Sequence, residues 1–226
     1  MKRAIVLIVF LGLISGCATY YPVRVNDYLD MSQGVSSIPF GSSFCLLEDH
    51  THSGKNPILQ AEVNNKIMAL LREKGYRIET NEKADYFLRF TYAISPGRSE
   101  SEIRPEFVPG TTETVQTIRP SGKISTAIVT TPGYTTYVPR RVTVYTSTLI
   151  LEVLNAYSLR SDNKEKILWI GENSSASQNP DLRDTINYLL VAGFQNFGKN
   201  MTKSRMITIY EYDRRIKRVR EAIQNQ

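Results

Sequence analysis

The chain has 226 residues, 41% of them hydrophobic and 22% charged, with a formal net charge of +6 and only two cysteines. That composition excludes a disulfide scaffold and an extended disordered chain, and the length suits one principal domain with a core of its own. The positive charge is concentrated at the two ends. Lys2 and Arg3 contribute at the start, and Arg214, Arg215, Lys217, Arg218 and Arg220 crowd the end.

Residues 1–16 read as a signal peptide. Lys2 and Arg3 precede an apolar run from Ala4 to Ile14, which is 11 residues long. A bilayer-spanning helix needs about 17 to 25 residues, so the run is too short for a permanent anchor. Ile14-Ser15-Gly16-Cys17 resembles the processing site of bacterial lipoproteins. The resemblance implies that Cys17 becomes the first residue, is acylated (the palmitate-bearing lipoprotein anchor) and carries the chain on a membrane. The competing account is a chance cysteine behind an uncleaved apolar segment. By the same resemblance, Ala18 lacks the Asp common in lipoproteins retained at the inner membrane. The expected location is therefore the cell outer membrane of a Gram-negative bacterium, facing the periplasm. A chain held by several acyl groups does not leave its membrane, since each buried methylene contributes about 0.8 kcal/mol.

Residues 17–42 contain Tyr20, Tyr21, Pro22, Gly34 and Pro39 without a sustained period and read as a lipidated tether. A single domain is expected over 43–212. Ser43 to Asp49 is the first expected strand, and it holds Cys45, which the acylation of Cys17 leaves without a pairing partner. Asn56-Pro57 then opens a helix with the stripe Leu59, Val63, Ile67, Leu70 and Leu71, stopped by Gly75. From Ala84 to Ile94 the period changes to 2, with Tyr86, Leu88, Phe90, Tyr92 and Ile94 on one face, which predicts a half-buried strand.

Residues 95–141 hold six of the ten prolines amid threonines and read as an extended hairpin arm outside the core. Strands are expected from Val142 to about Ala156, from Glu165 to Ser174 around the only tryptophan, Trp169, and from Arg205 to Tyr212. Asn179-Pro180 predicts a second amphipathic helix carrying Leu182, Ile186, Leu189, Leu190, Phe194 and Phe197, with Gly198 as its stop. Residues 213–226 form a basic tail. The whole reads as an α+β fold: a mostly antiparallel sheet with two amphipathic helices packed on one face, plus the Pro/Thr-rich arm.

The signal, the helix end Lys74-Gly75-Tyr76, the strand opening Ala84-Asp85-Tyr86-Phe87-Leu88, the Trp169-Ile170-Gly171 strand and the late Phe197-Gly198 occur in an order that resembles one bacterial lipoprotein family. It is the family labelled domain of unknown function 4136 (DUF4136). The resemblance runs from about Phe44 to Ile209. That family has no agreed activity, so the resemblance implies no catalytic residue. The arm, the tether and the basic tail depart from its pattern.

Candidate chemistry is sparse. Glu48, His50 and His52 would share one face of an extended strand and could hold a divalent metal, against the alternative of a polar strand-to-helix loop. Arg214, Arg215, Lys217, Arg218 and Arg220 could meet anionic lipid, lipopolysaccharide phosphates or an acidic partner. Alternatively they form the solvated face of a helix that docks through Ile216, Val219 and Ile223. No Gly-x-Ser-x-Gly elbow, P-loop, dinucleotide fingerprint or paired-cysteine motif occurs. The reading is a non-enzymatic interaction module of envelope assembly or maintenance, without cofactor and without nucleic acid, whose partner is another envelope protein. A small-ligand or metal-binding module, or an unrecognised enzyme, is the alternative. The arm itself reads as an interaction arm offering strand edges, with hairpins that enter a membrane as the competing account.

Overall fold

The structure is a computed structural model and describes residues 19–33, 36–47, 56–120 and 122–222. Cys17 and the Glu48, His50 and His52 set therefore lie outside the described residues. The chain divides into two units, one formed by the described residues up to 97 with 145–222, and one formed by 98–144.

The first unit is built on a seven-strand sheet. In chain order its strands are β1 (Tyr20–Leu29), β2 (Ser43–Leu46), β3 (Arg77–Ile78), β4 (Tyr86–Ile94), β8 (Tyr134–Asn155, of which 145–155 belong here), β9 (Ile167–Ser177) and β10 (Arg205–Tyr210). They lie in the order β10-β1-β9-β8-β4-β2-β3. All neighbours are antiparallel except β2, which runs parallel to β3 and β4. The helices are α1 (Pro57–Glu73), α2 (Ala156–Asp162), α3 (Leu182–Gly193) and α4 (Arg214–Glu221). The α+β class, the mostly antiparallel sheet and its helix-covered face are as the patterning predicts.

Strand alternation decides which face is covered. Val23 and Val25 on β1, Leu88 and Phe90 on β4, Leu149, Leu151 and Val153 on β8 and Trp169 on β9 are all buried in one cluster with Val63, Ile67 and Leu71 of α1 and Ile186, Leu189 and Leu190 of α3. The intervening residues face the other way. There Arg89 Nε donates to Glu152 at 2.7 Å and Arg89 Nη1 to Glu165 at 3.0 Å. A smaller cluster of Ala84, Phe87, Leu154 and Ala156 lies beside Leu159 of α2.

Three expectations need correction. Residues 20–29 are not a tether: β1 is an interior strand between β10 and β9, with Val23 and Val25 fully buried. Pro22 is tolerated because the recorded β1–β9 ladder begins at Arg24; beside it, the Ser175 hydroxyl donates to the Pro22 carbonyl at 2.8 Å. The second long helix starts two residues later than the Asn-Pro pair suggests. Asp181 is its N-cap, accepting from the amides of Arg183 and Asp184, while the Asn179 side chain accepts from the Asp181 amide at 2.9 Å. It ends at Gly193, so Phe194 and Phe197 pack from the turns beyond it. The domain boundary at 212, finally, moves: the tail lies within the domain and docks as the alternative reading of it has it, α4 burying Ile216 and Val219 in the main core, while Ile223 lies outside the described residues.

The second unit is a two-stranded antiparallel ribbon. Strands β5 (Arg98–Val108) and residues 134–144 of β8 pair from Arg98 opposite Val144 to Val108 opposite Tyr134. Strands β6 (Thr111–Ile118) and β7 (Ile124–Thr131) continue from Thr111 opposite Thr131 to Ile118 opposite Ile124. The register is unchanged across the break, which places Pro109 opposite Gly133 and Gly110 opposite Pro132. A Cβ at Gly110 would lie 2.6 Å from the Gly133 amide nitrogen and collide with the Thr131 carbonyl, so glycine is what lets the two backbones pass. At about 3.3 Å per residue the paired strands span about 70 Å. Pro105 and Pro139 sit within the ladder, as a two-stranded ribbon permits, because each strand keeps one unpaired edge.

Candidate interaction surface and charged cluster

The ribbon buries little of itself. Ile103 opposite Pro139, and Pro105 opposite Tyr137, share a face that Phe107 extends. Ile103 is 68% exposed, Phe107 67% and Tyr137 70%, with no charged side chain between them on that face. Most apolar residues exposed singly are unremarkable, but a contiguous aromatic and proline patch of this kind is what protein contacts use. Edge strands with unpaired amides and carbonyls add a second means of attachment.

In the first unit, polar chemistry gathers between α1, α3 and α4. Arg183 pairs with Glu62, its Nε donating at 2.8 Å. Arg220 Nη2 donates to Asp184 Oδ1 at 2.8 Å and to the Tyr188 hydroxyl at 3.1 Å. Tyr188 stacks on Tyr21 with ring centroids 3.8 Å apart. Burial, reinforced by the Asp184 charge, pushes the Tyr188 hydroxyl up to about 12. Lys66 is almost wholly buried in the same cluster. Desolvation pulls its pKa down, against the attraction of Glu62.

The sequence-predicted cations of the tail are thereby placed. Arg215 pairs with Asp213, Arg218 Nη1 reaches Glu73 on α1 at 2.7 Å, Arg220 reaches Asp184 on α3, and Lys217 lies 3.7 Å from Glu221. Arg214 has no carboxylate partner among the described residues. The cations of Arg218 and Arg220 thus clamp α4 onto its neighbours. Because those pairs are substantially exposed, apolar burial carries most of the docking energy. Ile216→Ala is expected to cost about 2 to 5 kcal/mol in urea unfolding and Arg218→Ala less than about 1. An equal cost for the two would mean that charge, not packing, holds the helix.

Cys45 is half-buried and free, its thiol pushed up by burial, so it is poorly disposed to act as a thiolate. Among the described residues no group of three His, Cys, Asp or Glu side chains is disposed to hold a metal, and Glu48, His50 and His52 lie outside them. Among the described residues no helix is long and apolar enough to cross a membrane.

Asp27 is the feature that the sequence conceals. Its side chain is fully buried and neither carboxylate oxygen has a hydrogen-bond partner among the described residues. Desolvation pushes its carboxyl up to about 7. A period-2 reading of Val23, Val25, Asp27 and Leu29 is the signal that could have found it.

No family model and no curated protein matches the chain. Two solved structures are distantly similar. A PDZ domain protein from Parabacteroides distasonis ATCC 8503 is 14% identical with a TM-score of 0.42, over 84% of this chain and 39% of that one. The PelC dodecamer from Paraburkholderia phytofirmans is 10% identical with a TM-score of 0.37, over 76% of this chain and 97% of that one. The chain thus spans well under half the length of the first. Neither likeness bears on what the chain does.

Proposed function

We propose that the chain is an outer-membrane lipoprotein of the DUF4136 kind, anchored through acyl groups on Cys17 and facing the periplasm, that works as a non-enzymatic protein-interaction module in envelope assembly or maintenance. The observation that carries this reading is the ribbon of residues 98–144, whose Ile103, Phe107 and Tyr137 side chains are two-thirds exposed on one face. An isolated two-stranded ribbon is marginal in water, and covering its apolar face by a partner supplies the missing burial. The sequence supports the anchor through Ile14-Ser15-Gly16-Cys17.

Two measurements test the two halves of the proposal. Metabolic palmitate labelling is expected in the wild type and lost in Cys17→Ser; persistence in the variant removes the anchor. Photo-crosslinking in cells from position 107 or 137 is expected to trap one envelope protein reproducibly, and Phe107→Ser with Tyr137→Ser to abolish that adduct. Adducts that survive both substitutions remove the patch as the contact.

A further inference from the structure

The far end of the ribbon has a chemistry different from the Ile103 and Phe107 patch. Opposed residues share a face, so Ile118 and Ile124 form one cross-strand pair and Ile128 lies on that same face opposite Thr114. These three isoleucines are 73%, 66% and 71% exposed. Val115 and Val129, also exposed, occupy the other face. The aliphatic side chains of the hairpin thus lie within the six rows nearest the turn, spaced by Gln116, Thr117, Ser125 and Thr126, while Thr111, Thr112, Thr130 and Thr131 fill the two rows farthest from it.

The turn that follows is closed and cationic. The Arg119 amide donates to the Lys123 carbonyl at 2.9 Å, and the Gly122 amide to the Arg119 carbonyl at 2.8 Å, with Gly122 in the left-handed region at φ 77°. Arg119 and Lys123 therefore flank the Ile118–Ile124 pair. Their charge is unopposed in sequence: no Asp or Glu occurs between Glu113 and Glu152. No acid stands in the rows next to Arg119 and Lys123, so a protein contact built on this tip would have to bring its own acids.

We propose that this hairpin tip docks on an anionic lipid surface, with Ile118, Ile124 and Ile128 entering the interface and Arg119 and Lys123 meeting the headgroup phosphates. By the strand alternation Arg119 and Lys123 lie on the face opposite Ile118, Ile124 and Ile128, and Glu113, the one acid of the hairpin, lies five rows from the Ile118–Ile124 pair. A ribbon lying flat in the interface then turns its isoleucine face to hydrocarbon and its cations to phosphate. Glu113 on β6 and Pro109 and Pro132 just behind the hairpin leave no uninterrupted apolar face of the roughly 9 to 11 residues that a spanning strand needs. The tip therefore rests in the interface and does not cross. The inference goes beyond the proposed function and does not depend on acylation at Cys17.

The test places the reporter at the tip, so that attachment through the amino terminus cannot imitate the result. In the full chain carrying Ile124→Trp, tryptophan emission is recorded with vesicles of phosphatidylcholine alone and of phosphatidylcholine with phosphatidylglycerol, each with and without brominated acyl chains. Trp169 is buried and serves as the unquenched background. Expected are a blue shift and bromine quenching that require phosphatidylglycerol and reverse with salt. Arg119→Gln with Lys123→Gln is expected to weaken partition roughly thirtyfold, from about 1 kcal/mol for each cation. Circular dichroism matching the wild type shows that the variants remain folded. Emission unmoved by either vesicle overturns the proposal, as does quenching indifferent to charge and salt. Shielding of the new tryptophan without lipid, rising with protein concentration, would also overturn it and assign the tip to a protein contact.

Discussion

A chain that starts at Met31 is expected to show no cooperative unfolding transition by heat or urea, although it retains both long helices and nearly all of the apparent core sequence. The reason is the position of β1. It pairs with β10 through Tyr20 to Val25 and with β9 through Arg24 to Leu29, so its loss strips β10 of its neighbour and opens the interior edge of β9. Val23 and Val25 leave the core, and each fully buried valine contributes about 1.5 to 3 kcal/mol. Tyr21, stacked on Tyr188 and donating to Asp184, goes with them. The summed loss is comparable to the whole stability of an ordinary domain, about 5 to 15 kcal/mol. A chain that starts at Thr19 provides the control. If the chain from Met31 melts sharply with native-like circular dichroism, β1 is an accessory and not a structural strand.

The same strand shows where legibility in the sequence stops. Helix α1 is readable because its signals are local: Asn56 accepts from the amides of Ile58 and Leu59 at 3.1 Å, Pro57 follows, the stripe repeats, and Gly75 takes a φ of 83°. Strand β4 is readable because Leu88, Phe90 and Tyr92 alternate with Arg89 and Thr91, although Phe87 is buried on the opposite face. In β1 the alternation is present but disguised, since Pro22 and the buried acid at position 27 stand where a strand reader expects neither. Helix α2 is short, and its signals are Asn155 accepting from the Ser158 amide at 2.9 Å and Asn163 in the left-handed region, single residues in a run that otherwise reads as strand. The arm is legible in composition, whereas its unbroken register is not, because it depends on two Pro-Gly pairs meeting across the ribbon. For the tail, residue type and helical period are local, but Glu73 and Asp184, the carboxylates that hold Arg218 and Arg220, lie 145 and 36 residues away along the chain.

Asp27→Asn is expected to stabilise the fold at pH 8, and the gain is expected to disappear on acidification. Asp27 faces the core from β1 directly opposite Gly171 of β9, where a Cβ would collide with the Trp169 ring and sit 3.0 Å from Asp27 Oδ1. Its backbone carbonyl accepts from the Met201 amide at 3.0 Å, and Trp169 Nε1 donates to the Lys199 carbonyl at 3.0 Å. The acid is thus enclosed by groups that give its carboxylate no hydrogen bond. Water is the better solvent for the charge, and desolvation alone pushes the carboxyl up to about 7. Between the unfolded value near 3.8 and about 7, the folded chain holds a proton that the unfolded chain has released. Folding stability therefore falls by about 1.4 kcal/mol per pH unit across that window and is flat on either side. The carboxamide has nearly the same shape and never ionises, so at pH 8 the variant is expected to gain about 4 kcal/mol, shrinking to near zero at pH 4. Urea titrations of both chains at half-unit pH steps, read by Trp169 fluorescence, measure the difference directly. A difference that does not change with pH means that Asp27 keeps its charge in the folded state, and that a counter-charge or water reaches it through the β1–β9 interface.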